Sequence, residues 1–191
     1  LAPHLDAVPQ ARRYAAGGAV AISVLTEPTR FGGSLDDLRV VCAAVDVPVL
    51  MKDFVLDERQ IGAAAMLGAS AILLIVRLID DERLVALQRY AHSCGLDALV
   101  ECHDADEVER AVQSGARVIG INNRDLDTLE VSRDRADVLL PRIPGRCVAI
   151  AESGYDDFGT KEELLKQIND ITQLLLDMRS KGYSGSAWGY N

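Results

Sequence analysis

Residues 47–76, VPVLMKDFVLDERQIGAAAMLGASAILLIV, hold a complete structural unit in one line of sequence. An apolar run, Val47–Met51, stops at Lys52. Asp57 then offers a side-chain oxygen to the free N–H groups at the start of ERQIGAAAML, a segment of small and apolar residues that favours a helix. Gly68 can adopt the left-handed conformation that ends a helix, and a second apolar run, Ala71–Val76, follows at once. Strand, helix and strand in that order make a βαβ unit, and short continuous apolar runs mark parallel strands covered on both faces.

The same unit repeats on either side. Val20–Leu25, Ala98–Val100, Val118–Ile121 and Val148–Ala151 are further short apolar runs, and the six recur at intervals of roughly 20–30 residues. Ser34, Asp80 and Asp104 stand where helix caps are needed, and Gly18, Gly95 and Gly115 stand just ahead of the next strand. The pattern predicts an α/β chain with a parallel sheet, of the (β/α)8 TIM-barrel type. A full barrel of this type takes about 250 residues. A chain of 191 is therefore expected to be a truncated or chimeric barrel, forming a single domain over residues 1–191. Before Val20 the sequence allows one helix and no strand. After Gly154 the texture changes: residues 155–191 predict an atypical helix, Lys161–Arg179, opened by a Thr160/Glu163 capping box, and a last strand within Tyr183–Tyr190.

Composition narrows the function classes. Lys and Arg total 20 against 29 Asp and Glu, a formal charge of −9 that repels nucleic acid and anionic membrane. A small phosphorylated substrate remains compatible, because helix N-termini bind phosphate through backbone N–H groups. The four cysteines, Cys42, Cys94, Cys102 and Cys147, have no C-x-x-C spacing, so they read as reduced, mostly buried apolar residues rather than metal ligands. No run reaches the ~18 apolar residues of a membrane span and no signal-peptide pattern opens the chain, so a cytoplasmic location is expected.

In a parallel barrel the side chains at the C-terminal ends of the strands surround the site. Lys52, Glu101, Asn122, and Glu152 with Ser153 occupy such ends. Strand alternation puts Leu50 with Lys52, Leu99 with Glu101, Gly120 with Asn122, and Ile150 with Glu152 on matching faces. Any one of these alone would mark only where solvent begins. Four among the six units, on matching faces, predict that a lysine, two carboxylates and an amide converge at the barrel mouth. His103 is expected to turn away from the interior or lie in the following loop and is given no catalytic role, and residues 107–112, EVERAV, read as a solvated helix face.

These residues also carry a family resemblance. AISVLTEPTRFGGSLDDL, PVLMKDFVLDERQI, GASAILLIVRLI, LVECHD, GARVIGINNRDLDTLEV and AESG are similar, in order and spacing, to strands two through seven of indole-3-glycerol-phosphate synthase, over residues 19–154. The resemblance implies ring closure of 1-(2-carboxyphenylamino)-1-deoxyribulose 5-phosphate with loss of CO2 and water, a carboxy-lyase step of tryptophan biosynthesis, without cofactor or metal. It implies that Lys52 is the general acid on the ribulose carbonyl oxygen and that Glu101 acts in proton transfer during dehydration. Asn122 and Glu152 would bind substrate hydroxyls, Phe31, Phe54 and Leu73 would line the slot for the anthranilate ring, and Ser153 and Gly154 would begin the phosphate site. The family's first-strand motif and its eighth-strand phosphate turn have no counterpart, and the tail departs from the pattern.

Two readings follow: the synthase itself, or an engineered or chimeric barrel scaffold derived from it with little or no activity. A third, another phosphate-handling barrel lyase or isomerase, is opposed by the KDF and NNRDL motifs. Open sheet edges are expected to be closed by the tail or by a second copy in a homodimer.

Overall fold

The computed structural model describes residues 6–125, 130–132 and 134–152. The tail helix and last strand expected from sequence, and with them Ser153 and Gly154, lie outside the described residues. Six strands are described: β1 (Ile22–Leu25), β2 (Val49–Lys52), β3 (Ala71–Ile75), β4 (Asp97–Cys102), β5 (Val118–Asn122) and β6 (Val148–Glu152). They alternate with α1 (Ala7–Ala16), which precedes β1, and with α2 (Leu35–Cys42), α3 (Glu58–Met66), α4 (Asp81–Ser93), α5 (Ala105–Gln113) and α6 (Asp134–Leu139). Short 3-10 turns, Val76–Leu78 and Leu140–Arg142, follow β3 and α6. The strands follow one another in the sheet in chain order, and every pairing described is parallel. The described residues group into two compact units, one built from residues 6–73 and 89–97, the other from 74–88 and 98–152.

In the first unit, local chemistry starts the helices where the sequence predicts. Asp6 accepts from Val8 N at 3.3 Å and Ser34 Oγ from Asp37 N at 2.9 Å. Asp57 caps α3 by accepting from Arg59 N at 2.9 Å, and Gln60 Oε1 returns the favour by accepting from Asp57 N at 3.1 Å. Leu38 and Val41 of α2 and Ile61 and Ala64 of α3 are buried, as are Ile22, Val24, Val49 and Met51 of the strands. Burying a side chain of this size contributes roughly 1.5–3 kcal/mol. Alternation is plain in β1, where Ile22 and Val24 are buried while Ser23 and Leu25 are exposed. In β2 the Val49–Met51 face is buried and the Leu50–Lys52 face is the less covered one. The sequence reading started β2 at Val47; it starts at Val49. Pro48, which has no N–H to give to a ladder, contributes only its carbonyl, to Ile22 N at 2.9 Å.

In the second unit, β4 runs past the expected Val100 to Cys102, because Glu101 and Cys102 hold ladder positions opposite Gly120 and Ile121. Helix α5 opens with Asp104 accepting from Glu107 N at 2.8 Å and buries Val108 and Ala111. Arg110, further along α5, donates to the carbonyls of Val76 and Ile79 at 3.3 and 2.7 Å and pairs with Asp81 at 2.6 Å, which satisfies the chain as it leaves β3. Asn123 Oδ1 accepts from Ala136 N at 2.9 Å and so ties α6 to the end of β5. In both units the expected helix-ending glycines hold: Gly18, Gly68, Gly95 and Gly115 all have φ between 78° and 94°, where a Cβ would strain the backbone.

Candidate active site

Lys52 is the last residue of β2 and pairs with Leu25 of β1. The chain leaving it is held from several sides. Thr26 N donates to the Lys52 carbonyl at 3.1 Å, and Thr26 Oγ1 donates to Asp53 Oδ2 at 2.6 Å. The other Asp53 oxygen accepts from Phe54 N at 2.8 Å, and Gln60 Nε2 donates to the Phe54 carbonyl at 2.9 Å. Phe54 is thereby fixed, and its ring lies 6.1 Å from that of Phe31, tilted by 44°, inside the range of favourable aromatic pairs.

Phe31 itself is half exposed, at 49%, on a loop built around Glu27. The Glu27 carboxylate accepts from the backbone N–H groups of Thr29, Arg30 and Phe31 at 2.9, 2.6 and 3.2 Å. Slight desolvation works upward on its pKa, and donation from Arg30 and Thr29 outweighs it, so the carboxyl sits below its ordinary range. Leu73 is buried, and the register Leu50↔Ala71 places it on the same sheet face as Lys52. Within this unit Phe31 and Phe54 meet, and Leu73 shares a face with Lys52.

In the second unit Glu101 lies on β4 opposite Gly120, and Asn122 on β5 opposite Glu152. Gly120 has a structural reason: a Cβ there would stand 2.7 Å from Glu152 Oε1 and 3.2 Å from Leu99 Cδ1, so the Glu152 carboxylate folds across β5 toward β4. Asn122 is buried and its Oδ1 accepts from Arg124 N at 2.9 Å, which fixes the amide. Asn123 N donates to the Glu152 carbonyl at 2.9 Å, and Arg135 donates to the Asn122 carbonyl at 3.2 Å while pairing with Asp125 at 3.2 Å.

Glu101, 1% exposed, belongs to a line of charges that sequence reasoning missed. His103 Nε2 stands 3.2 Å from Glu101 Oε1, near enough for ionic attraction though out of line for a hydrogen bond. His103 Nδ1 is 3.0 Å from Glu107 Oε2, which also accepts from His103 N at 2.7 Å, and Glu107 Oε1 accepts from Arg77 Nε at 2.9 Å. Burial alone would lower the His103 pKa; the two carboxylates overcome it and raise the value to about 9. Burial likewise works upward on Glu107, and His103 and Arg77 outweigh it, so Glu107 falls below its ordinary value.

His103 does lie in the loop after β4, as expected, but the reading of residues 107–112 as a solvated face is corrected: Glu107, Val108 and Ala111 are buried. The signal was present in the spacing, since Glu101, His103 and Glu107 put one carboxylate two residues before the imidazole and another one helical turn after it. The roles of Thr26, Asp53 and Gln60 were not legible, because a loop hydrogen bond leaves no periodic trace.

Among the described residues no group of His, Cys, Asp and Glu is placed to hold a metal ion, and no helix is long and apolar enough to cross a membrane. Taken separately, the first unit offers a lysine at the end of β2 and an aromatic pair on the loops after β1 and β2, and the second offers carboxylates for proton transfer and an oriented amide.

Comparison with known proteins adds independent findings. The family described as Indole-3-glycerol phosphate synthase matches residues 1–174, beyond residues 19–154 at both ends. The indole-3-glycerol phosphate synthase of Kineococcus radiotolerans is 54% identical over 149 residues, covering 78% of this chain and 54% of that protein. Those of a Nocardioides species, over 149 residues, and Streptomyces coelicolor, over 154, are each 52% identical, covering 78% and 81% of this chain and 57% of each relative. The chain thus spans little more than half the length of the relatives it matches. Among solved structures, a dihydropteroate synthetase with product is similar over 60% of this chain and 53% of its own, at 18% identity and a TM-score of 0.43.

Proposed function

The chain belongs to the indole-3-glycerol phosphate synthase family, and from that premise we propose that it catalyses closure of the indole ring. The substrate is 1-(2-carboxyphenylamino)-1-deoxyribulose 5-phosphate, and the products are indole-3-glycerol phosphate, CO2 and water. The described strands are six of an eight-stranded barrel, and the protein works in the cytoplasm on this small phosphorylated molecule.

Lys52 donates a proton to the ribulose carbonyl oxygen as the aryl carbon attacks it, and its cation stabilises the charge that develops there. The bond to the carboxyl group then breaks, releasing CO2 and restoring electrons to the ring. Glu101 moves a proton in the dehydration that follows. Asn122 and Glu152 hold substrate hydroxyls, Phe31, Phe54 and Leu73 receive the anthranilate ring, and Ser153 with Gly154 starts the phosphate site.

The observation that supports this most is the setting of Lys52: it ends β2, and two residues on Phe54 pairs with Phe31. A cation for a carbonyl oxygen and an aromatic surface for an aryl group thus leave one strand end together. Fluorescent indole product, followed in the wild type and in Lys52→Ala, tests the reading. Turnover in the wild type that falls at least about a thousandfold in the variant is expected, since a general acid and a charge are removed together. A folded wild-type chain without turnover, or a variant with wild-type turnover, would overturn it.

A further inference from the structure

The imidazole of His103 has a carboxylate at each nitrogen. Glu101 Oε1 stands 3.2 Å from Nε2 and Glu107 Oε2 3.0 Å from Nδ1, and the His103 side chain is fully buried. A neutral imidazole carries one N–H and one lone pair, so in either tautomer it would set a lone pair against one carboxylate. Only the imidazolium answers both.

The surroundings support that charge state. Glu107 on α5 is anchored on its far side by Arg77, from the turn after β3, and by the backbone N–H of His103. Asp104 is engaged at the α5 N-terminus with Glu107 N, and Arg110 is engaged with Asp81 and two carbonyls. The Cys102 thiol beside them is pushed well above its ordinary pKa by burial and the nearby carboxylates, so it brings no charge. Signs therefore alternate along the line Arg77, Glu107, His103, Glu101. Glu107 has both oxygens occupied, between Arg77 and His103, and Glu101 holds a strand position opposite Gly120.

We propose that His103 is a positioning residue for Glu101: wedged as a cation between two carboxylates, it fixes the Glu101 carboxylate in place and keeps it ionised until the proton-transfer step. The inference rests on the role given to Glu101 in the proposed reaction, but its geometry belongs to this unit alone. A structural histidine would need only to fill space. A positioning one must carry its proton at the pH of the reaction and must change the behaviour of Glu101 when removed.

Nitrogen-15 NMR of the histidine-labelled chain reads the first point without any turnover. With three histidines in the chain, the His103 signals are those absent from His103→Gln. Both ring nitrogens are expected to be protonated at pH 7.5, and Glu107→Gln is expected to lower the titration midpoint by more than one pH unit. A neutral ring at pH 7.5 in the wild type would overturn the proposal.

Carboxyl carbon-13 titration of Glu101 reads the second point. Its midpoint is expected to rise in His103→Gln, and an unchanged midpoint in a folded variant would overturn the positioning role. If His103→Gln does not fold, His4→Gln and His92→Gln assign the wild-type ring by elimination, and its titration with that of Glu107→Gln decides. Where turnover is measured, the acid limb of kcat should move to higher pH in His103→Gln while KM holds. An imidazolium in a chain without turnover would refute the reaction and not the wedge.

Discussion

The loops around Lys52 and the line of charges around Glu101 both deliver a polar side chain at a strand end, by opposite means. Around Lys52 each ordering bond has a neutral donor and at most one charged partner, none of them fully buried: Thr26 gives to the Asp53 carboxylate, Gln60 to the Phe54 carbonyl and three backbone N–H groups to the Glu27 carboxylate, with Phe31 half exposed. Around Glu101 the ordering groups are full charges out of water, with side-chain exposures of 2%, 0% and 7% for Glu101, His103 and Glu107. A hydrogen bond from a neutral donor near the surface contributes about 1–2 kcal/mol and leaves its partner within reach of water when it is lost. Buried charges are costly to desolvate and tolerate no missing partner. One region should therefore yield gradually to substitution and the other abruptly.

The largest effect should come from Glu107→Ala, which leaves His103 and Arg77 without their shared carboxylate. A loss of about 3–5 kcal/mol in the urea unfolding free energy is expected, and a loss under about 1 kcal/mol would mean that water already reaches the cluster.

Next is pH. The His103 pKa is raised from 6.5 to about 9, so its contribution is fully present below 6.5 and is lost as pH rises through 9. Roughly 3 kcal/mol should disappear over that window by linkage. The Glu107 pKa is lowered from 4.5, so its contribution is present above 4.5 and fades as pH falls below it. Urea midpoints between pH 4 and 10 should flatten on the alkaline side in His103→Gln.

The smallest effect belongs to the Lys52 region. Thr26→Val removes one hydrogen bond, from a hydroxyl to the part-buried Asp53 carboxylate, and should cost about 1.5 kcal/mol in thermal unfolding. A cost as large as that of Glu107→Ala would erase the contrast between the two regions.

The same contrast explains what the sequence revealed. Strand order, caps and helix-ending glycines were legible because each leaves a local mark: Asp57 ahead of α3, Gly68 behind it. The strand positions of Lys52, Glu101, Asn122 and Glu152 were legible because a polar residue closing an apolar run stands out. Pro48 shortened β2 for a reason also written in the sequence, its missing N–H. Glu107 was misread because a charged residue on a helix is usually solvated, and only its partners, Arg77 thirty residues earlier and His103 one turn earlier, show why it is buried. Burial of a charge is decided by tertiary partners, and those carry no periodicity.

Lys52 and Glu101 are proposed to serve one ring-closing reaction. Its most direct test is turnover of the carboxyphenylamino-deoxyribulose phosphate by the wild type, Lys52→Ala and Glu101→Gln, with thermal unfolding measured on the same samples. Product is expected from the wild type, with a loss of at least about a thousandfold in Lys52→Ala and about a hundredfold in Glu101→Gln, each read below the unfolding midpoint of that variant, which Glu101→Gln lowers the more. Wild-type turnover in either folded variant would contradict the proposal.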